Sequence, residues 1–531
     1  MKLKRILSLW PAITMVFWLL PMSLVPVSAV ETTEKNITLG AEALRGGQKS
    51  NVYFGNYYQT SNSEKDPIKW RVLDITDSEV FLLSDKNLDT MKYNETLVNV
   101  TWETSTIRSW LNSDFIDSAF NSMETDKIIT TDVINDDNPY TDVSGGENTK
   151  DKIFFLSVAE ALNQKYGFSQ NSTDRDQNRV AANTPYAQDK IDTYEGWWLR
   201  SPAGYDGRFA ASVSEIGTVI CEKNASYTVD FEDVAVRPAF NLDPAAVLFT
   251  AAAKGGKPSD DFVSGEIISE NFDLSTYTDN DGYKLTLRDE NRSFSVTSAN
   301  GQERDSEGVI EATANTGDRV YFKYENAEYN TKNEVDNEYI SVFIVNENDE
   351  VLYYMKCAKP QSASGETFFK VPLALEQGSY SLKIFNEQIN GDYKTDYASD
   401  FSEIALTIIN NTAADNFGAF ATDSGKYTNS GDQTVGVIRF LQEYSGEQPE
   451  SYGFYFVDSV GNIIKQDETE CKIEETEEAI TGGFYGDLTD IPLGYSDTYY
   501  AKPFVTIDGR VYMGTTIPGT VNWDRAVDYP E

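Results

Sequence analysis

The sequence predicts a multidomain chain, an α+β unit followed by two all-β sandwich units. Three observations predict it. Its 531 residues exceed what one hydrophobic core can organise. Helical spacing of apolar residues falls within the first 250 residues, between strand-like runs. From residue 262 onward only short strand-like runs recur, separated by turn residues. Hydrophobic residues make up 40% and aromatics 13%, which is enough to build cores and too much for a disordered chain.

Residues 1–29 read as a secretory leader. Lys2, Lys4 and Arg5 form a positive start, Ile6 to Leu20 an apolar run, and Val27-Ser28-Ala29 a small-residue cleavage site. An uncleaved membrane anchor is the competing reading, but Pro11 and Pro21 interrupt the run before a full span. No later segment is apolar enough to cross a membrane, and no Cys near the cleavage site could carry a lipid. The expectation is a secreted, extracellular chain, released or held at a cell surface by non-covalent contacts.

Residues 30–250 form the α+β unit. In IKWRVLDI, Ile68, Trp70 and Val72 alternate with Lys69, Arg71 and Leu73, which reads as a strand. SEVFLLSD is a continuous apolar run that suits a buried strand. Ile107, Trp110 and Leu111 then recur at helical spacing, and Ile116, Phe120 and Met123 follow a second cap signal at Ser113. Ser157 and Glu160 make a capping box, and Gly167 supplies a stop. Short strands and turns fill Trp197 to Leu248. The small, glycine-rich stretch AAAKGGKPSDD, residues 251–261, reads as a linker.

Residues 262–410 read as a β-sandwich. In GSYSLKI, Tyr380, Leu382 and Ile384 alternate with Ser379, Ser381 and Lys383, giving one buried and one wet face. Residues 411–531 form a second sandwich, with TVGVIRFL, YGFYFVDS, TYYAKPFVTI and RVYMGT as strands and Asp508-Gly509 as a hairpin turn.

Composition excludes several function classes. The net charge of −41 repels nucleic acid and anionic lipid. There is no histidine, which removes Ser-His-Asp and Cys-His nucleophiles, the usual zinc ligand sets and a histidine pH switch. Cys221, Cys357 and Cys471 fall one to each unit, so no disulfide closes within a unit. No cofactor is implied. The acidic surface could attract calcium, but the one loop with EF-hand-like spacing, Asp174-Asp176-Asn178, carries Arg179 where glycine is needed and Pro185 where glutamate is needed. GGQKS lacks the first glycine of a phosphate loop. A carboxylate pair about 5–10 Å apart would suffice for glycoside hydrolysis, and Glu195 beside two tryptophans is the one suggestive position for it.

The stretch EGWWLRSPAGYDG is the most distinctive. If WWLR is a strand, Trp197 and Leu199 share one face and Trp198 and Arg200 the other. Arg200 could then stack on Trp198 as part of a binding surface. The same pattern fits a strand buried on both faces, with Arg200 bonded to loop carbonyls. The loop that follows offers Tyr205, Asp206 and Arg208 as ligand contacts. In DVAVRPAFNLD, Val234, Val236, Phe240 and Leu242 form one face and Arg237 the other, with Pro238 at an edge, bulge or end.

IKWRVLD, VFLLSDKNLD, IRSWLNSDFI, IFFLSVAEA, WWLRSP and VRPAFNLD, in that order over about residues 50–250, resemble an uncharacterised secreted-domain family of anaerobic Gram-positive bacteria. That family is a domain of unknown function. GDYKTDYAS resembles a β-module that often accompanies it. WWLRSP and VRPAF, with Trp197, Pro202, Arg237, Pro238 and Phe240 as the signature, also resemble the core strands of C-type-lectin-like and formylglycine-generating-enzyme-like folds. That likeness implies a compact α+β fold with a loop-rich ligand face. The enzyme's reactive cysteine pair is missing, since this unit has Cys221 alone, and so are the lectins' calcium motifs. LALEQGSYSLKI resembles an immunoglobulin-like corner, which implies that Tyr380 bonds back to its own chain, and residues 488–514 resemble fibronectin type III strands. The function expected is non-enzymatic binding or adhesion to an extracellular glycan or protein. A carboxylate enzyme acting on polysaccharide or cell wall, and a structural part of a surface assembly, are the alternatives.

Overall fold

The computed structural model describes residues 37–46, 51–191, 196–223, 227–257, 267–270, 282–306, 308–330, 336–372, 375, 377–409, 417–446, 448–457, 465–466, 469–470, 472–475, 482–495, 497–507 and 510–527. The leader, Glu195, Cys471, the Asp508-Gly509 turn and residues 258–261 lie outside these. The chain is mostly β, arranged in several sheets, and its described α-helices all lie between residues 106 and 188.

Two main sheets and a small two-stranded one, Thr131–Val133 with Thr149–Asp151, build the described part of the first unit. Strands Asn51–Tyr58, Lys65–Ile75, Val80–Ser84 and Ala239–Leu242 pair in sequence order along one of the main sheets. Ile68, Trp70 and Val72 point inward from it, as their alternation requires. The other main sheet carries Trp197–Pro202 between Phe209–Val213 and Ala235–Val236. Arg237-Pro238 is the step at which the chain leaves one sheet for the other. Ala235 pairs with Trp197, while Ala239 pairs with Leu83. A proline suits that step because neither ladder needs its missing N–H.

Ser113 does not cap a second helix. The chain runs α-helical through Thr106–Trp110, widens to a π turn over Leu111–Phe115, and resumes over Ile116–Ala119. Within this run the Ser113 hydroxyl donates to Ser109 O at 2.8 Å, the back-bonding a mid-helix serine adopts. The caps are Ser105, which accepts from Arg108 N, and Asn121, which shares a capping box with Glu124. The Ser157–Glu160 box forms as its spacing requires, and Gly167 ends the following turn in the left-handed region, at φ 81°.

Strand Tyr283–Arg288 joins the first unit to the second. It pairs with Val247–Ala252 and, in parallel, with Asn51–Tyr58 and Asp396–Ala398, so one sheet of fourteen strands runs through both units. Phe249, Ala251, Phe343, Tyr354, Phe385 and Ala398 form a single apolar cluster across this seam. Within the stretch read as a linker, residues 251–252 complete a strand, Ala253 is buried, and the Lys257 side chain is fully enclosed.

The second unit is a β-sandwich. Glu338–Val345, Val351–Ala358, Gly378–Gln388 and Ser402–Ile408 face a four-stranded sheet that includes Ser295–Ala299, Arg319–Glu325 and Gly365–Lys370. Val296, Phe322, Val342, Met355, Leu382 and Ile404 fill the space between them. The third unit packs Phe417–Thr428, Thr434–Tyr444 and Phe484–Ile491 against a sheet built on Ser451–Val457 and Tyr499–Ile507. Its core holds Ile438, Phe440, Phe454 and Val505. Thr316 of the second unit donates to Val511 O of the third at 3.3 Å.

Candidate binding face

The WWLRSP strand is buried on both sides along its whole length. Trp197 Nε1 donates to Arg179 O at 3.1 Å, and Trp198 Nε1 to Met91 O at 2.9 Å. Both indoles therefore satisfy their one donor inside the unit. Arg200 does not stack on Trp198. Its guanidinium donates to Phe155 O at 2.7 Å and Ile134 O at 3.1 Å, and grips both Glu160 oxygens at 2.5 and 3.0 Å. Glu160 is also the capping residue of helix Val158–Ala161, so this ion pair fastens that helix to the strand. The arginine that does lie over a tryptophan is Arg237, 4.9 Å from the Trp197 ring. Arg237 is fully buried and donates to Ser84 O at 2.9 Å and Arg179 O at 3.0 Å. Burial lowers the affinity of its guanidinium for the proton, against a modest opposing pull from Asp85. Pro202, Pro238 and Phe240 are buried too.

Tyr205, Asp206 and Arg208 lie at the surface instead. Tyr205 is 64% exposed. Gly204 sets up the loop. Its φ is +63°, and a Cβ there would sit 2.6 Å from the Phe209 ring, so only glycine fits without strain. Asn138 holds the base by donating to Pro202 O at 2.7 Å and Cys221 O at 2.8 Å. The Arg208 guanidinium reaches Asp206 through both carboxylate oxygens, the shortest contact being 2.8 Å, and lowers the Asp206 carboxyl below its ordinary value. The pair is preformed but solvated, and it shapes the loop more than it stabilises the fold.

Two further loops meet this one through backbone hydrogen bonds. Val100 N donates to Gly207 O at 2.9 Å, Val229 N to Arg208 O at 2.9 Å, and Asn94 N to Val229 O at 2.7 Å. The three loops bring exposed Leu97, Val98, Tyr205 and Phe231 to one end of the unit. Phe231 stacks on Tyr227 at 5.0 Å, and Tyr227 meets buried Trp198 edge-on at 6.5 Å. Trp198 thus supports this face from below without being part of it. Sequence reasoning singled out the Tyr205 loop and did not mark Leu97, Val98 and Phe231. They lie far apart in the chain, and nothing local marks them as neighbours.

Among the described residues no group of three or more Cys, Asp or Glu side chains is placed to hold a metal ion, and no helix is long and apolar enough to cross a membrane. Asp174 and Asp176 form a tight turn around buried Arg179, with Asp176 Oδ2 accepting from Ser169 N at 2.6 Å. A concavity of about 780 Å³ lies on the second unit beside Tyr380, Phe401 and the Lys383–Glu403 pair.

A family model described as a domain of unknown function, DUF6273, matches residues 77–244. That range contains the WWLRSP strand and all three loops of the face. No curated protein matches the chain. Among solved structures, a two-domain fibronectin type III segment of chicken tenascin is 11% identical, over 39% of this chain and 94% of that one, with a TM-score of 0.13. The C-terminal domain of the AgI/II polypeptide BspA from Streptococcus agalactiae is 10% identical, over 43% and 99%, with a TM-score of 0.12. Dimeric latent PorU from Porphyromonas gingivalis is 10% identical, over 48% and 23%, with a TM-score of 0.16. TM-scores this low give these likenesses no bearing on fold or function.

Proposed function

We propose that this is a secreted, non-enzymatic binding protein whose first unit recognises an extracellular protein or glycan through the face around Tyr205. One observation carries the reading. Four large apolar side chains stand exposed on three loops that are held in place around a fully buried strand, Trp197–Pro202. Exposed aromatics on a rigid frame bind at small entropic cost, because little is left to order on binding. Two sheets meeting at Arg237-Pro238, with loops gathered at one end, support a C-type-lectin-like fold for this unit. The second and third units, read as immunoglobulin-like and fibronectin type III-like modules, carry that face away from an attachment point.

Tyr205→Ala with Phe231→Ala is the direct test, because both side chains are outside the core. The intact chain and the double variant would be compared on glycan arrays and on extracellular protein and cell-surface panels. The reading expects at least a tenfold loss of affinity with an unchanged melting temperature. Equal binding by both chains, or no binding by the intact chain, would sink it.

A structural role in a surface assembly also has an observation in its favour. Strand Phe417–Thr428 lies at the edge of its sheet, and most of its first half is exposed, including Phe420. Uncovered strand edges invite pairing with another chain.

A further inference from the structure

The seam between the first and second units encloses a set of ionisable groups that binding does not use. Lys257, Glu387 and Asp396 have fully buried side chains, and Lys284 is 1% exposed. Lys257 Nζ lies 2.7 Å from Glu387 Oε2 and 2.6 Å from Asp396 Oδ2, and the Phe249 ring is 4.7 Å from it. Asp396 Oδ1 accepts from Asn390 N at 2.8 Å. Its Oδ2 is 2.8 Å from Lys284 Nζ and, though close to both ammonium groups, is aligned with neither for a hydrogen bond. Tyr354 OH donates to Glu387 Oε1 at 2.7 Å and fixes that carboxylate.

These are the parts of an acyl-transfer site with water shut out. We propose that Lys257 and Asp396 become joined by an amide between Nζ and Cγ. Glu387 takes a proton from the Lys257 ammonium, and the freed amine attacks Cγ. The Asn390 N–H steadies charge on Oδ1, and the Lys284 cation steadies it on Oδ2. The Nζ–Cγ bond forms and the Cγ–Oδ2 bond breaks. Of the three ammonium protons, one stays on the amide nitrogen and two leave with Oδ2 as water. Glu387 and Lys284 end as they began. Nothing is oxidised or reduced, and no co-reactant enters. The reaction replaces two buried charges with a neutral amide, so it removes a desolvation cost the ion pair bears. Lys284 is the weaker candidate for nucleophile, since it donates to Gly391 O at 2.7 Å and no Glu387 contact of that kind stands beside it. A link here would bind the turn after strand Val247–Ala252 to strand Asp396–Ala398, across the seam.

Peptide mapping by mass spectrometry on the denatured full chain tests this. The peptides bearing Lys257 and Asp396 should be recovered joined, lighter than their sum by one water. Recovery of both in unlinked form overturns the proposal, and so does a link that starts from Lys284. Glu387→Gln should give unlinked peptides from a chain that still unfolds cooperatively. A link that forms undiminished in that variant overturns the role given to Glu387. The native chain decides the central point even if the variant fails to fold.

Discussion

Lys356 is buried with no hydrogen-bond partner for its Nζ, which lies 4.5 Å from the Tyr339 ring. Burial pushes its ammonium down to about 8. An unfolded lysine titrates near 10.4, so between about pH 8 and about pH 10 the unfolded chain binds more protons, and stability rises with pH across that window. Below it the folded state bears the cost of a buried charge. Lys356→Met should therefore unfold at higher urea than the native chain at pH 7, by roughly 2–3 kcal/mol, and should lack the alkaline gain. Arg200 is the opposite case, because its charge is matched by the Glu160 carboxylate and two carbonyls. Arg200→Met would leave the carbonyls of Phe155 and Ile134 without this donor, and Glu160 without its counter-charge and with only the Ser157 N–H on its carboxylate. A loss of about 3 kcal/mol is expected from the urea midpoint, as for other ion pairs broken on one side only. The sequence made Arg200 visible as an unusual residue beside tryptophan. It could not show that the carboxylate waiting for it was the capping residue forty positions earlier.

Strand Asn51–Tyr58 carries an irregularity where its register against Lys65–Ile75 shifts between Tyr53 and Asn56. Gly55 sits at that shift with φ +70°, and a Cβ there would meet the Phe120 ring and Ala119 O within 2.7 Å. Two penalties then coincide, left-handed backbone and overlap with a helix end. Gly55→Ala should cost on the order of 3 kcal/mol, read from chemical unfolding. Elements of this size were the most legible from sequence. The period of two at Ile68, Trp70 and Val72 and the four-residue span of Ser157–Glu160 are local signals that local geometry obeys. Ser113 misled because a serine before a polar turn looks the same at a cap and in mid-helix, and only the backbone hydrogen bonds tell them apart. Strand Phe417–Thr428 went unread because so much of it is exposed that its residues show no alternation.

Over the whole molecule, the first two units share a sheet and a core. Tyr283, Leu285, Leu287 and Tyr397 pack into the hydrophobic cluster of the first unit. Asn121 donates to Tyr397 OH at 2.6 Å, and Thr395 Oγ1 to buried Glu124 at 2.7 Å. Residues 37–409 should thus melt as one cooperative transition in calorimetry, with the third unit free to melt separately. Two resolved transitions within 37–409 would contradict this. It follows that cutting out residues 30–250 would strip Tyr283–Arg288 of most of its Val247–Ala252 partner and of its Val52 and Tyr53 rungs, so point variants on the Tyr205 face are the sound way to test binding. None of this is written locally. AAAKGGK has the composition of a flexible tether, yet its alanines are small enough to pack tightly and Lys257 finds its counter-charges about 130 residues later.

The parallel pairing at the seam also decides how the molecule answers force. Tyr283 and Lys284 lie beside Val52 and Tyr53, running the same way, and Tyr283 to Leu287 are also held by Val247 to Ala252, so the strand is clasped by the first unit on both edges at this end. Sliding one unit along the other would strain these rungs together instead of peeling them one by one. Such a junction works as a lap joint does, in which resistance grows with the length of overlap, and it would transmit tension from the Tyr205 face into the second unit without opening between them.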